Sequence, residues 1–240
     1  RAQLNIPFVI KKDSSIFLIS PAWEHRRIRL HENGQATDVN SVLLLLSLTK
    51  RMNPKWSFTI GLIPRWNGES QLLFSKGFQP GGAFYFTRNI NPLFKLKAGL
   101  YYNREFFGNF FMPIVGIEWK MNARNYLFGN MPNSLTWENR LSNKFSWGAV
   151  FRTFPNSYRI EPSLTARRLD YYRITDIQTG LYGDIYILPK LAITIEGGYA
   201  LFRKLRLGGE SFGGSDTEIT ISDRGNVYFR ASLQYRLRFY

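Results

Sequence analysis

The sequence predicts an all-β protein whose strands form an antiparallel, up-and-down barrel that crosses a membrane. Three observations predict this fold. Apolar and polar side chains alternate along segment after segment, no segment sustains a helical period over a dozen positions, and tight and longer connections alternate through the first half of the chain. Alternation puts apolar side chains on one face of a strand and polar ones on the other. Short turns at one end and longer loops at the other are typical of outer-membrane barrels.

The composition narrows the possible chemistry. The 240 residues include 32 basic and 17 acidic residues, 20 Phe, 13 Tyr, 6 Trp and no cysteine. Without cysteine there is no disulfide, thiolate metal site or cysteine nucleophile, and the excess of positive charge predicts anionic neighbours such as a lipid headgroup layer. The longest apolar run, from Val42 to Leu46, is far shorter than the ~20 residues that a membrane-spanning helix needs.

Twelve strands are counted from Ser15 onwards, with ten or fourteen as the alternatives. Residues 1–14 are predicted to be an N-terminal extension, because a strand within them would start the chain outside the cell, and residues 15–240 are predicted to form the barrel. The predicted strands lie near residues 15–29, 38–50, 55–65, 77–88, 93–103, 111–121, 125–140, 144–153, 157–168, 171–187, 190–206 and 226–240.

The connections assign the strand ends to two sides of the membrane. Tight connections rich in Asn, Pro and Asp are expected at the periplasmic end, because short turns mark that end of such barrels. The tight ones are 51–54, 88–92, 122–125, 154–157 and 188–190, and the longer, outer ones are 31–37, 67–76, 104–110 and 208–217. Two connections, at Leu141 and Arg167, are short where outer loops are expected.

The two faces of the strands indicate what surrounds them. A soluble sandwich or lipocalin-like barrel shows the same alternation with its apolar face inward. Here aliphatic residues lie in mid-strand and aromatic residues such as Trp56 and Trp119 lie near strand ends, which is typical of the aromatic girdles at membrane interfaces. The opposite faces carry charges and glycines that suit a polar lumen. The predicted lumen-lining residues are Lys95, Lys97, Glu118, Lys120, Arg152, Arg159, Glu161, Asp176, Asp184, Glu196, Arg230, Arg236 and Arg238.

Basic residues outnumber acidic ones on these polar faces, which leaves two outcomes open. If the side chains pair across the lumen, the barrel has a salt-bridged core, because buried charges without partners would cost too much free energy. If space remains, the positive excess favours anions in a pore.

Little in the sequence indicates catalysis. A lipid-interface hydrolase needs a serine beside a histidine that a polar partner orients, but the two histidines, His25 and His31, accompany no serine hydrolase motif. Asp176 and Asp184 are eight residues apart on one strand, hence roughly 26 Å apart, which is too far for a catalytic pair. No histidine spacing typical of a metal site occurs. No catalytic residue, metal or cofactor is therefore predicted.

The segment EFFGNFF, from Glu105 to Phe111, is the most distinctive predicted outer loop. Clusters of exposed aromatic side chains often mark an interface. We expect its phenylalanines to fold over the barrel mouth, to lie on lipid or to dock on another protein. The candidate partner or lipid contacts are Phe106, Phe107, Phe110 and Phe111.

The end of the chain, GNVYFRASLQYRLRFY, alternates cleanly and finishes on aromatic residues. It resembles the C-terminal signal of outer-membrane barrels that the barrel-insertion machinery reads. The resemblance implies an assembly signal, from which Tyr240 departs because it lies in the register of the arginines. The implied signal residues are Tyr235, Leu237, Phe239 and Tyr240.

A second resemblance is carried by KAGLYYNREFFGNFFMPIVGIEWKM (residues 97–121), with the later LFGNMPNS and NSYR. These stretches look like a family of Gram-negative outer-membrane barrels known only as a domain of unknown function. The resemblance covers roughly residues 78–160, with weaker similarity to the end. Because that family has no assigned activity, the resemblance implies the fold and the compartment alone.

These observations favour a non-enzymatic barrel of the bacterial outer membrane that serves as a structural or accessory subunit of an envelope complex. A narrow, anion-leaning pore for small solutes and a lipid-interface hydrolase are the alternatives. The expected partners are outer-membrane lipid including lipopolysaccharide, the barrel-insertion machinery during assembly, and other outer-membrane proteins. Nucleic acid is not expected, because arginines spread around a barrel make no single groove-matching patch.

Overall fold

A computed structural model of the chain describes residues 2–10, 15–29, 36–161, 169–188, 191–209, 217–223 and 225–235. Within these ranges nearly every residue lies in one of seventeen strands, and one four-residue helix is present. None of the described residues forms a helix with the length and apolar character needed to cross a membrane. The elements are β1 (Ala2–Gln3), β2 (Ile6–Ile10), β3 (Ser15–Arg29), β4 (Ala36–Arg51), β5 (Trp56–Leu62), β6 (Arg65–Glu69), α1 (Phe74–Gly77), β7 (Phe78–Gln79), β8 (Gly81–Asn91), β9 (Phe94–Glu105), β10 (Gly108–Lys120), β11 (Asn125–Met131), β12 (Ser134–Arg140), β13 (Phe145–Arg159), β14 (Tyr171–Leu188), β15 (Leu191–Gly209), β16 (Thr217–Asp223) and β17 (Asn226–Tyr235).

All seventeen strands belong to one sheet. From β8 to β15 each strand pairs antiparallel with the next. On one side of this run β5 pairs with β8, β4 pairs with both β5 and β6, and β3 pairs with β4; on the other side β15 pairs with both β16 and β17. Consecutive strands are therefore neighbours almost throughout, as the up-and-down prediction requires.

One parallel bridge closes part of this sheet into a ring. It joins Gly68 of β6 to Arg159 of β13. The closed barrel so formed contains nine strands, namely β4, β5, β6 and β8 to β13, and the other eight strands extend the sheet beyond it. The all-β barrel class is confirmed, but the pairing differs from the predicted ring of twelve strands.

Short turns gather at one end of the barrel, which we call the turn end; the opposite end is the loop end. Four of these turns follow β4, β8, β10 and β12. In each of them an Asn or Ser side chain accepts a hydrogen bond from a backbone N–H group two or three residues further on, which is the local reason why these residues favour turns. The accepting residues are Asn53, Asn91, Asn122 and Ser142.

The segment 125–140, predicted as one strand, is a hairpin of two. β11 ends at Met131, β12 begins at Ser134, and Asn130 lies opposite Ser134 across the connection. Pro and Asn at positions 132 and 133 are turn formers, but the alternation on both sides of them hides this signal. The connection at Leu141 consequently lies at the turn end rather than among the outer loops.

The tight turn predicted at residues 154–157 is wrong, because this segment lies inside β13. Pro155 pairs with Thr175 of β14 on one side. On its other side the hydrogen bonds to the β11–β12 hairpin end with the one that Thr153 N–H donates to the Asn133 carbonyl. Proline has no N–H to donate, and at position 155 this hairpin no longer offers an acceptor. The segment from Phe145 to Arg159 is therefore one strand, where two strands, 144–153 and 157–168, were predicted.

The other differences are local. Residues 67–76, predicted as a loop, contain the end of β6 and most of α1. Part of the predicted N-terminal extension continues the sheet, since β1 and β2 pair antiparallel with β3. The predicted connections 31–37, 188–190 and 208–217 and the one at Arg167 lie wholly or partly outside the described residues.

Burial alternates along the strands, with polar side chains inside. On β14, Asp176, Gln178 and Asp184 are buried, whereas Leu181 and Ile185 are exposed. The described sheet thus has a polar interior and an apolar outer surface, the reverse of a soluble domain. Exposed apolar side chains recur around it, among them Ile60, Leu100, Val115, Leu181, Ile195 and Phe229.

The buried apolar cluster lies at the loop end, and we call it the apolar plug. β3 and β4 contribute to it from one wall, and β13, β14 and β15 contribute from another. Side chains from β3 and β4 meet side chains from β13, β14 and β15 here, so the cluster packs the space between these strands at the loop end. The apolar plug comprises Ile28, Val39, Tyr158, Ile160, Tyr172 and Ile174, with Leu205 and Leu207 packed against it.

Candidate functional site

Next to the apolar plug, a buried polar cluster ties the two walls together. At its centre the Arg65 guanidinium of β6 donates a hydrogen bond of 2.5 Å to the Glu105 carboxylate of β9, and these side chains are only 6% and 1% exposed. An ion pair this dry is stable only when its remaining hydrogen-bonding positions are filled. The buried polar cluster comprises Arg65, Asn67, Gln79, Asn103, Glu105 and Ser157.

Glu105 meets this requirement. Its Oε1 accepts bonds from Arg65 and from Asn103 Nδ2 at 2.7 Å, and its Oε2 accepts from Gln79 Nε2 at 3.0 Å and from Ser157 Oγ at 2.5 Å. A carboxylate has about four lone-pair sites, so Glu105 is saturated. The partners come from β6, β7, β9 and β13, so a single carboxylate joins strands that lie on opposite sides of the nine-strand ring.

The end of β13 divides the interior. Ser157 and Tyr158 are consecutive, so their side chains point to opposite faces of the strand, yet both are 0% exposed. Ser157 contacts the buried polar cluster, and Tyr158 belongs to the apolar plug. A wall strand would leave one of these two faces outside, so this part of β13 runs through the interior and closes the barrel at the loop end.

The connection between β9 and β10, which we call the aromatic loop, adds to this closure. The longer loop predicted at residues 104–110 is wrong, because the connection is a two-residue turn of Phe106 and Phe107. The Phe106 N–H donates to Ser157 Oγ at 3.1 Å. The Arg173 guanidinium of β14 lies 3.8 Å from the centre of the Phe107 ring, and Arg159 lies 5.6 Å from that of Phe106. A cation over an aromatic face within about 6 Å is attractive. Phe106 and Phe107 therefore reach β13 and β14 across the mouth.

The other two phenylalanines of this region differ from each other. Phe110 packs edge-on against Phe107, with ring centres 6.2 Å apart. Phe111 is 61% exposed, and its ring centre lies 4.9 Å from that of Tyr102. Phe111 thus lies on the apolar outer surface.

A second ion-paired group lies between β13, β15 and β17. Glu196 is 2% exposed and accepts two bonds from Arg152, at 2.5 and 2.8 Å. The Tyr228 hydroxyl donates to it at 2.9 Å, and Arg230 approaches at 3.4 Å. Three predicted lumen-lining residues, Arg152, Glu196 and Arg230, are thus brought together by cross-strand pairing.

Two predicted lumen carboxylates on β14 find different partners. Asp176 accepts from Arg203 at 3.0 Å and from Gln178 at 2.8 Å. Asp184 accepts from Thr194 at 2.5 Å. That the two carboxylates have no partner in common agrees with the long separation expected between them on one strand.

The remaining predicted lumen residues vary. Arg159 pairs with Asp170 at 2.8 Å. Lys120 and Glu161 are exposed, and Lys120 lies 5.8 Å from the Tyr126 ring centre. Tyr235 is the last residue of β17. The following members of the lumen and assembly sets lie outside the described residues: Arg236, Leu237, Arg238, Phe239 and Tyr240.

The turn end is open where the loop end is closed. A cavity of about 660 Å³, which we call the turn-end cavity, lies among β3, β4, β5, β8, β9 and β10. Lys95 and Lys97 enter it from β9 and share one carboxylate: their Nζ atoms lie 3.1 and 2.5 Å from the two oxygens of Glu118. Arg51 also lines the cavity, so basic groups outnumber acidic ones there.

Sequence reasoning missed the buried polar cluster. Asn103 lay within the predicted strand 93–103, and Glu105 continues the inward series of Lys95, Lys97 and Asn103 by one more step of two, so a longer strand would have included Glu105. Assigning residues 104–110 to an outer loop broke that series. Ser157 carried no such signal, because a segment with both faces buried has no alternation to read.

Of the two histidines, the structure describes His25. His25 is exposed, with Nε2 3.7 Å from Asp38 Oδ1 and Nδ1 3.3 Å from Asn40 Oδ1. The nearby Ser70 hydroxyl accepts a bond from the Asn40 amide rather than meeting His25. His31 lies outside the described residues, and among those described no three His, Cys, Asp or Glu side chains form a group able to hold a metal ion.

Fold and interior together define an all-β barrel protein with a polar, ion-paired interior. The chain belongs to the family described as a domain of unknown function (DUF6268), whose model matches residues 31–236. No curated protein and no solved structure matches it. The predicted resemblance to a domain of unknown function is confirmed, and the link of that family to the outer membrane stays a prediction.

Proposed function

We propose that this chain is a twelve-stranded barrel of the bacterial outer membrane that acts without catalysis, as a structural or accessory subunit of an envelope complex. The apolar outer surface supports the membrane placement. Exposed aliphatic and aromatic side chains such as Leu100, Val115 and Ile195 would lie in water in a soluble protein, whereas in a bilayer they meet hydrocarbon.

The strand pairing supports the number twelve. β5 and β6 lie end to end along β4, and β16 and β17 lie end to end along β15. Each pair therefore acts as one interrupted strand. β7 continues into β8 after a single residue. Counted in this way, the chain from β3 to β17 makes twelve strands, an even number that suits a bacterial outer-membrane barrel.

The observation that carries the proposed role is the closed loop end. Among the described residues, the buried polar cluster and the apolar plug cover both faces of the β13 end, which supports a closed interior rather than a passage. A pore needs a continuous path for its solute. A barrel without one serves better as a scaffold or partner.

Conductance in planar bilayers tests this role. The full chain is reconstituted with a marker porin whose current reports insertion, and the voltage is varied in both directions. We expect the marker's current alone. A second, reproducible current that shifts with anion gradients would instead support the anion-leaning pore, for which the basic lining of the turn-end cavity is the favouring observation.

Native purification tests the subunit part separately. The chain, solubilised in mild detergent from its own membranes, should elute with another outer-membrane protein at a fixed ratio. Elution of the chain alone at every expression level and in every detergent contradicts the subunit role and leaves the membrane placement untouched.

A further inference from the structure

The turn-end cavity contains an ordered row of hydrogen-bond donors. Arg51 of β4 lies opposite Ser57 of β5, Ser57 lies opposite Thr87 of β8, and Thr87 lies opposite Lys97 of β9. Residues directly opposite on antiparallel strands share a face. All four side chains line the cavity, so the row has a cation at each end and two hydroxyl groups between them.

The size of this row sets the size of a ligand. Four neighbouring strands span three spacings, hence about 14 Å. A cavity of about 660 Å³ is within the range of small-molecule sites. The row therefore suits a small solute rather than a folded domain.

The charges of the cavity set the sign of that ligand. Its lining has three basic side chains, Arg51, Lys95 and Lys97, and one acidic one, Glu118. Glu118 bridges both lysines, so it occupies the position that an external anion would take. Lys97 is only 14% exposed and lies 5.8 Å from the Tyr85 ring centre, which fixes it in place.

We propose that the turn-end cavity binds an oxyanion-bearing small solute, held by Lys97 and Arg51 and by the hydroxyl groups between them. Glu118 acts as an internal competitor that lowers the affinity. Phosphate and carboxylate groups share the required chemistry, since both accept several charge-assisted hydrogen bonds. This site does not depend on the membrane placement, and binding there needs no passage through the barrel.

The experiment measures binding of inorganic phosphate and, separately, of citrate to the folded full chain in detergent by titration calorimetry. Lys97→Gln should weaken binding about tenfold, as expected for loss of one charge-assisted bond. Glu118→Gln should strengthen binding several-fold, because it frees both lysines. Lys120→Gln removes an equal charge outside the cavity and should leave the affinity unchanged.

The two probes separate the possible sources, because a phosphate-selective site binds the first and a carboxylate site the second. If Lys97→Gln fails to fold, Arg51→Gln at the other end of the row takes its place and should weaken binding likewise. The proposal is overturned if neither anion binds wild type or Glu118→Gln, or if Lys120→Gln weakens binding as much as Lys97→Gln does.

Discussion

The two ends of the barrel use the same kind of ion pair in opposite ways. At the loop end, Arg65 and Glu105 are 6% and 1% exposed and every oxygen of the carboxylate is bonded within the protein. At the turn end, Lys97 and Glu118 are 14% and 40% exposed and face a cavity. The residue types are alike, but only the dry pair ties the walls together, while the wet pair lies at the wall of an open cavity. Burial, more than charge, decides which role a pair has.

The largest expected effect comes from breaking the dry pair. Glu105→Leu leaves the buried Arg65 charge without its carboxylate counter-charge and should lower the free energy of unfolding by about 3–5 kcal/mol. Urea unfolding of the detergent-folded protein measures it. Arg65→Leu/Glu105→Leu should recover much of the loss, whereas Glu118→Leu at the wet pair should cost no more than about 1 kcal/mol. Equal losses for Glu105→Leu and Glu118→Leu would remove the distinction between the two ends.

The apolar plug gives the next effect. Ile174→Ala leaves a cavity in a packed cluster and should cost about 2–5 kcal/mol. Ile195→Ala removes the same atoms from the exposed outer surface and should cost clearly less in the same unfolding measurement. Equal losses of unfolding free energy in the two variants would contradict close packing of the apolar plug.

A charge on the outer surface tests the proposed membrane placement. Leu181→Arg should lower stability in lipid vesicles by about 2–4 kcal/mol if the residue lies near the bilayer centre. Thr87→Arg, which points into the turn-end cavity, is the matched control and should cost less. Refolding into vesicles followed by urea titration gives both values, and an unaffected Leu181→Arg variant contradicts placement of that surface in hydrocarbon.

The smallest effect is expected at the exposed loop-end pair of Arg27 and Asp38. Arg27 donates two bonds of 2.9 Å to the carboxylate, and this bonding holds the pKa of Asp38 below its usual range. A carboxyl group with a lowered pKa contributes stability that is present above its unfolded value, about 3.9, and is lost as pH falls through the folded value. Stability measured from pH 7 down to pH 3 should fall slightly more for wild type than for Asp38→Asn. Parallel curves would show that the pair contributes nothing.

The alternation of side chains predicted the class of fold and most of the strands, because burial of one face and exposure of the other leaves a trace at every second residue. The prediction failed where two segments of similar composition adopt different structures. Pro132 forms a turn and Pro155 remains in a strand, and what separates them is whether a neighbouring strand is still present, which is a property of the sheet and not of the local sequence.

The candidate site was harder to predict from the sequence, for a related reason. Lys95, Lys97 and Glu118 could be predicted, since their strands alternate regularly up to the turn end. Glu105 meets Ser157, 52 residues further along the chain, and no local pattern encodes a contact between opposite walls. Charges on the polar faces indicated that pairing would occur, but the choice of partners required the three-dimensional arrangement.

The burial of the β13 end on both of its faces also constrains the order in which the molecule can fold. Arg65 and Asn156, which bond at 3.0 Å, are 91 residues apart in the chain, so this contact can form only after the intervening hairpins have brought β6 and β13 within reach. Contacts so distant in sequence are slow to form, because loop-closure entropy is lost before they stabilise the chain. We therefore expect the contacts of the β13 end to form late, after the strands from β8 to β12 have paired as an open, curved sheet.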